Sequence, residues 1–431
     1  MQSFNEAFLH FLWKNQELKG VEIIPVNGIS LEVIHPGETN PDAGPDFFNA
    51  QVRLDGTLWA GNVEIHINAS DWLKHGHTGD SSYDSVILHV VYYHDCDITR
   101  SGNEIIPAAL IRFVPGLLTR YHRMLDSASW LPCDGEIRSV PPVIRTQTLS
   151  SLLVEKWEKR CSEMQTQRSE LNNHWEALLH RQVCRGFGVP VNTVPFEMLA
   201  TLIPVNELIR IKTDLFSLEA MLFGQAGMLD TIIPEDIYME SLVREYRRIG
   251  NRLDNNRVPS YIWKSMRMRP SSFPTIRIAQ LAAFIQQSYP LMRWLKKRPT
   301  LEEWTALCRV RCSDYWNNHY RFGKPSGFQP KKMGIRFIQG FLVNTIAPFS
   351  FYFGKQMGEK EYTDYAIALM EDLPPEKNSV TDRWRKNGLN AENAFESQSI
   401  LYLYKQYCKA KRCLECQIGN YVILHGKEDK S

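Results

Sequence analysis

A chain of 431 residues, 43% hydrophobic and 23% charged, has the composition of an ordinary globular protein, long enough for two to four domains and at least one sizeable core. Its 50 Lys and Arg against 48 Asp and Glu leave a formal net charge of +2, which excludes a global field that demands a polyanionic partner and leaves a local basic groove as the electrostatic route to nucleic acid. The opening MQSFNEAFLHFLWKNQELKG lacks the basic leader, apolar run and cleavage site of a signal peptide, and no uninterrupted apolar stretch is long enough to span a membrane. Nine irregularly spaced cysteines do not read as a secreted disulfide framework, so a reducing cytoplasm is expected.

Residues 3 to 15 bring Phe4, Phe8, Leu9, Phe11 and Leu12 together on a short helix and leave Asn5, Glu6, His10 and Lys14 for another face. From about 20 to 115 the pattern becomes that of strands. VEIIPV, ISLEVIH, FNAQVRL, LWAGNVEIHI, SVILHVVYYH and EIIPAALIRF are short runs rich in Val, Ile and aromatics, parted by Gly, Asn, Asp and Pro. Asp55-Gly56 predicts a tight hairpin turn. Beyond Pro115 a three-to-four-residue apolar spacing predicts helices almost to the end, with Gly186, Gly224 and Gly250 among the stops and no fixed-period repeat. The expectation is a mixed-sheet α/β domain with an N-terminal helix over 1–135, then a larger, irregular all-α domain over 136–431 that ends in a cysteine-containing tail. Met221, Leu222, Phe223, Met228 and Leu229 are expected in its core. Arg267, Arg269 and Arg277 either line a polyanion groove or cover and pair at helix ends, and the second is the expectation.

The stretch GPDFFNAQVRLDGTLWAGNVEIH sets Asp46 at the mouth of one strand, and the hairpin turn returns the next strand beside it. Glu64 and His66, two apart on that strand, share a face, while Val63 and Ile65 point the other way. If Asp46 and Glu64 converge, they make an oxygen site for Mg²⁺ or Mn²⁺, an ion able to polarise a phosphodiester oxygen and acidify an attacking water. His66 is then placed to position that water or to steady the developing charge. The plainer reading is that Asp46 caps a turn while Glu64 and His66 bond each other. Downstream, NASDWLKHGHTGDSSYDSVILHVVYYHDCD adds His75, His77, His89 and His94 together with Asp71, Asp80 and Asp84. His75 and His77 offer two imidazoles to zinc, with His66, His89 or Asp80 completing the shell, so a zinc-dependent hydrolase is the rival chemistry. The same two side chains also suit contact with a phosphate or leaving group beside a carboxylate-held metal. His89, inside an apolar strand, reads equally as a core residue bonded to a backbone carbonyl, and Trp72 reads as core. No GxGxxG, Walker A, GxSxG or HExxH sequence is present, which argues against dinucleotide, NTPase, serine-hydrolase and zincin functions.

In YCKAKRCLECQIGNYVILHG, Cys408, Cys413 and Cys416 form a thiol group ending in CxxC that lacks a fourth ligand. Cys133, in SWLPCDGE, or the nearby His425 can complete it for zinc or a [4Fe–4S] cluster, and the plainer reading is buried thiols near a terminus.

Pro45-Asp46 followed across a hairpin by Glu64-Ile65-His66 resembles the PD-(D/E)XK nuclease superfamily, with histidine where the superfamily carries lysine. The resemblance implies a restriction-endonuclease-like α/β fold and metal-dependent cleavage of DNA or RNA at Asp46, Glu64 and His66. It also implies a further glutamate from a preceding helix, for which Glu6 is the candidate and Glu32 or Glu38 a rival. A chain that kept this core without the reaction would be a nucleic-acid-binding or scaffold protein. One upstream and three C-terminal cysteines are similar to the iron–sulfur-bearing branch among AddB-type recombination nucleases, where a cluster clamps the ends of the nuclease module, although the spacing departs from that branch. Over the full chain, HPGETNPDAGPDFFNAQV, WAGNVEIHINASDWLKHGH, YDSVILHVVYYHD, LEAMLFGQAGML, RMRPSSFPTIRIAQLAA and CLECQIG look like the bacterial family of unknown function numbered 2851, common in Bacteroidetes. That likeness implies a bacterial cytoplasmic setting and brings no activity with it.

Overall fold

The computed structural model describes residues 4–16, 20–100, 104–250, 253 and 256–426, so residue 3 of the expected first helix lies outside the described residues. All six predicted runs contain strands: β1 (Val21–Pro25), β2 (Leu31–His35), β4 (Phe47–Leu54), β5 (Thr57–Asn68), β6 (Val86–Tyr93) and β7 (Ala108–Phe113). A two-residue strand, β3 (Glu38–Thr39), is too short to leave a period-two pattern and pairs with Phe47 and Phe48. The sheet runs β1-β7-β6-β5-β4-β2 and is mixed. The β4–β5 hairpin is antiparallel, whereas β6 lies parallel to both β5 and β7. The last strand begins later than EIIPAALIRF suggests, because Pro107 has no N–H for a ladder; its carbonyl instead accepts from the His89 N–H at 2.9 Å.

The hairpin turn forms as its sequence demands. Asp55 and Gly56 both hold positive φ, 46° and 80°, the conformation of a two-residue turn matched to strand twist. Between Phe47 and Ala50, β4 carries one residue more than β5, and Asn49 takes φ 56° at this bulge. Farther along, β5 crosses closely over the start of β6, since a Cβ on Gly61 would lie 2.4 Å from the Ile87 side chain. Only glycine fits there; around Asn62 and Val63 β5 lies between β4 and β6, and beyond Val63 it pairs with β6.

Helix α1 (Glu6–Lys14) starts at Asn5, whose side chain accepts the Phe8 N–H. It buries Phe8, Leu9, Phe11, Leu12 and Trp13. The Phe8 ring meets Phe113 of β7 at 5.3 Å and stacks at 5.2 Å on Tyr121 of α3 (Pro115–Asp126). This packing covers the face of the sheet that carries Val63 and Ile65, and Trp72 lies against His66 and His89 on the other face, so Val63, Glu64, Ile65 and His66 are all buried.

By their contacts the residues fall into two compact units. One comprises Met1–Leu149, Arg383–Leu389 and Tyr402–Ser431, and the other Ser150–Asp382 and Asn390–Leu401. The second is mostly helical, with Met221, Leu222, Phe223 and Leu229 buried in its core and Met228 half-buried. Two buried carboxylates organise it. Glu176 accepts the Leu291 and Met292 N–H groups at 2.6 and 2.9 Å, and Glu219 sits among Tyr238, Ser313 and Trp316. Arg277 packs its guanidinium 3.7 Å over the Phe337 ring and bonds Gln280, and burial lowers its pKa to about 10; it is packed within the helices, whereas Arg267 and Arg269 are exposed. No described helix is long and apolar enough to cross a membrane.

Candidate metal centre

Four segments deliver polar side chains to the mouth of the β4–β5 hairpin. Asp46 enters at the start of β4, and its carboxylate accepts the Ile65 N–H at 2.9 Å. The Glu64 carboxylate accepts the Asp46 N–H at 3.1 Å, so the two acids are laced across the strand pair. Helix α1 adds Glu6 and His10, four residues apart and hence on one face. His10 Nε2 stands 3.3 Å from Asp46, and the Glu6 carboxyl feels both Asp46 and His75. Glu32 pairs with Arg53 at the exposed edge of the sheet and Glu38 lies exposed in β3, so Glu6 is the glutamate brought to the acids.

The histidines close the other side. His75 and His77 follow the short helix α2 (Asp71–Lys74), and Gly76, at φ 73°, turns the chain between them. Trp72 anchors this loop from below, buried with Val86, Ile98 and Ile106 and donating to Thr78, in its expected core role. The His77 ring stacks on Tyr83 at 3.9 Å. His66, His75 and His77 present ring nitrogens that all lie within 4.8 Å of one another, a spacing that can hold a metal ion. His66 Nε2 is 3.1 Å from His75 Nδ1, and its Nδ1 shares a hydrogen bond of 2.9 Å with His89 Nε2. The partner of His89 is thus another imidazole and not the backbone carbonyl expected of a plain core histidine. That bond fixes the His66 ring from behind, as metal-bound histidines are commonly fixed. His94 stands apart, paired with Asp97.

Electrostatics separates the roles. Burial, then the nearby Asp46, push Glu64 up to about 9, while the Asp46 N–H opposes the shift. Burial raises Glu6 as well, with the Asp46 charge adding to the effect. Burial and the adjoining His89 and His75 hold His66 down to about 3, and His77 is lowered by the same causes, burial and then His75. The strand therefore carries a neutral imidazole at His66, suited to ligation or to orienting water. His10 Nε2 and His77 Nε2 are buried without a hydrogen-bond partner, although each lies close to a carboxylate, at 3.3 Å from Asp46 and 3.2 Å from Glu64. A ring nitrogen so placed either donates its proton to the carboxylate or joins it in holding a cation, according to its tautomer. His10 is the site residue that sequence reasoning passed over; its spacing from Glu6 on an amphipathic helix was the available signal.

At the tail, all nine cysteines are free thiols, and Cys133, Cys408, Cys413 and Cys416 are all buried. His425 is exposed and its ring lies against Tyr421, away from the role of fourth ligand. Among the described residues, no three of the sulfurs lie within 4.8 Å of one another.

The fold and site define a protein with a mixed N-terminal sheet, a large helical region and a histidine group able to chelate a metal ion. The chain belongs to the family described as Protein of unknown function (DUF2851), which it matches over residues 6–379. No curated protein and no solved structure matches it.

Proposed function

We propose that this protein is a divalent-metal-dependent hydrolase of nucleic-acid phosphodiesters, its N-terminal region built on the plan of the PD-(D/E)XK nucleases. The observation that carries the reading is the convergence of Glu6, His10, Asp46, Glu64, His66 and His77 from separate segments, with the His10 and His77 ring nitrogens buried 3.3 and 3.2 Å from the two carboxylates. A buried set of acids that repel one another is what a cation relieves. Helix α1, the Asp46 hairpin, Glu64-Ile65-His66 and a following parallel strand occur in the order the resemblance implies, and the substrate class rests on that resemblance.

Asp46 and Glu64 would hold the ion, His77 or His10 would add a nitrogen, and His66, fixed by His89 at Nδ1, would orient water through Nε2, which lies 3.1 Å from His75. A bound divalent ion supplies Lewis acidity toward a phosphoryl oxygen and a more acidic water. Mixed oxygen and nitrogen donors match Mn²⁺ better than Mg²⁺, whose preference is for oxygen and water. The spacing of His66, His75 and His77 favours a second reading, a zinc-dependent hydrolase in which these imidazoles, with His89 behind them, carry the metal.

The test is cleavage of single-stranded, double-stranded and branched DNA and RNA with Mn²⁺, Mg²⁺ or Zn²⁺, comparing wild type with Glu64→Ala and His75→Ala. The first reading expects Mn²⁺-supported cleavage that Glu64→Ala abolishes. Cleavage indifferent to Glu64→Ala overturns it. Zinc-supported hydrolysis lost in His75→Ala moves the site to the imidazoles. Nucleic-acid binding without cleavage under any metal leaves a scaffold on a nuclease-like core.

A further inference from the structure

The thiols of the sheet unit form a second group, remote in sequence from the acid and histidine site. Cys133 follows α3, whereas Cys408, Cys413 and Cys416 come from the end of the chain, yet the two segments meet: Trp130 stacks at 4.3 Å on Tyr404, Lys411 Nζ donates to the Ser127 carbonyl at 3.2 Å, and the four thiols lie in electrostatic range of one another. Each is at most 9% exposed. We propose that these four cysteines bind a thiophilic metal centre, zinc or an iron–sulfur cluster, that fastens the C-terminal segment to the chain after α3.

The backbone around the thiols supports a ligand role. Cys413–Glu415 make a single 3₁₀ turn, and the Cys416 N–H returns to the Cys413 carbonyl at 3.3 Å. Cys416 then takes the N-cap position of the helix Gln417–His425, with the first-turn N–H groups of Ile418 and Gly419 near its thiol but no side-chain hydrogen bond to them. Such donors stabilise a thiolate, the form that binds metal. The turn is tight enough that a Cβ on Gly419 would lie 2.4 Å from the Cys413 carbonyl oxygen, so glycine is required at that step. Asn420, with its amide nitrogen facing the turn, donates to the carbonyls of Leu414 at 2.8 Å and of Cys413 and Cys416 at 3.1 Å. Cys408 ends a π-helical turn, Tyr404–Cys408, a distortion that recurs at functional positions.

Zinc with sulfur ligands at about 2.3 Å needs sulfurs nearly in contact. The sulfurs here are more widely set, with no three inside 4.8 Å among the described residues, so a cluster of several irons fits with less contraction than one zinc ion. The centre would also brace the candidate site, since the Cys413–Glu415 turn packs on α1, the helix that carries Glu6 and His10, and Arg120 of α3 donates to the Ile423 carbonyl at 2.6 Å.

The test is anaerobic purification of the full chain carrying Glu64→Ala and His75→Ala, which empties the first site. Zinc, iron and acid-labile sulfide are then quantified and the visible absorption of iron–sulfur charge transfer is recorded. Iron with sulfide, or zinc, at one centre per chain is expected, falling to the buffer level in Cys133→Ser and in Cys416→Ser and staying unchanged in Cys161→Ser. If the serine variants do not fold, chelator treatment of the parent protein serves instead, releasing the metal and exposing four additional thiols to a thiol reagent. A folded protein with neither metal, or with its metal retained in both serine variants, overturns the proposal.

Discussion

Glu64→Gln keeps the shape of the side chain and removes the one proton that its surroundings hold most abnormally. In the metal-free protein, burial and Asp46 raise Glu64 from 4.5 to about 9. Native Glu64 thus keeps a proton over a range in which an unfolded glutamate has lost it. Its neutral form contributes stability that is fully present below pH 4.5 and is lost as pH rises toward 9. Each pH unit in that window costs about 1.4 kcal/mol, so the ceiling at pH 8 is about 5 kcal/mol, and sharing of the proton with Asp46 and Glu6 reduces it to roughly half. Glutamine has no proton to lose. The variant in EDTA is therefore expected to exceed wild type by about 2–5 kcal/mol at pH 8 and nearly to equal it at pH 5. Urea unfolding from pH 5 to 8.5, followed by near-ultraviolet dichroism, measures the difference. Isothermal titration with Mn²⁺ supplies the complement: wild-type affinity rises about tenfold per pH unit between pH 6 and 8 as the proton is displaced, while the variant binds more weakly with a flatter profile. A variant less stable than wild type at pH 8, or one with the same pH slope, refutes the electrostatic account of the site.

Replacing His89 with Leu leaves His66 Nδ1 buried without its 2.9 Å partner and frees the ring to turn; metal affinity is expected to fall about 10–100-fold while the fold survives. Unchanged affinity in a metal titration would show that His66 is not a ligand or that it needs no orientation. In the helical unit, burial raises Glu219 to about 7 against the hydrogen bonds of Tyr238 and its neighbours, so the stability from its neutral form is complete below pH 4.5 and fades as pH passes 7. Hydrogen exchange in the helix Leu215–Gln225 should accelerate over that window in wild type and much less in Glu219→Gln; matching pH profiles would exclude Glu219 as the cause.

Local pattern carried much of the architecture. The alternation of FNAQVRL and LWAGNVEIHI and the Asp55-Gly56 turn were enough to expect β4, β5 and their hairpin, because strand periodicity and positive-φ turns are short-range properties. The helical periodicity after Pro115 was equally local. What pattern could not express was that α1 covers the Val63 and Ile65 face of the sheet while Trp72 and the loop after it cover the Glu64 and His66 face. Polar residues two apart on a strand look like a solvated edge until another segment excludes water from them. The same limit hid His10, whose role depends on a helix docking against a hairpin more than thirty residues later in the chain.

The sequence by itself determined the strand runs, the hairpin, the sharing of a face by Glu64 and His66, and the CxxC spacing, each governed by neighbours within a few residues. Only the tertiary structure decided which acids meet, that His89 backs His66, that Glu6 rather than Glu32 or Glu38 joins Asp46, and that Cys133 lies in electrostatic range of the terminal thiols. Those outcomes depend on burial and on chain crossings. Desolvation turns an acid pair into one that holds a proton near pH 9 and keeps His66 neutral, and no local pattern encodes where water is excluded.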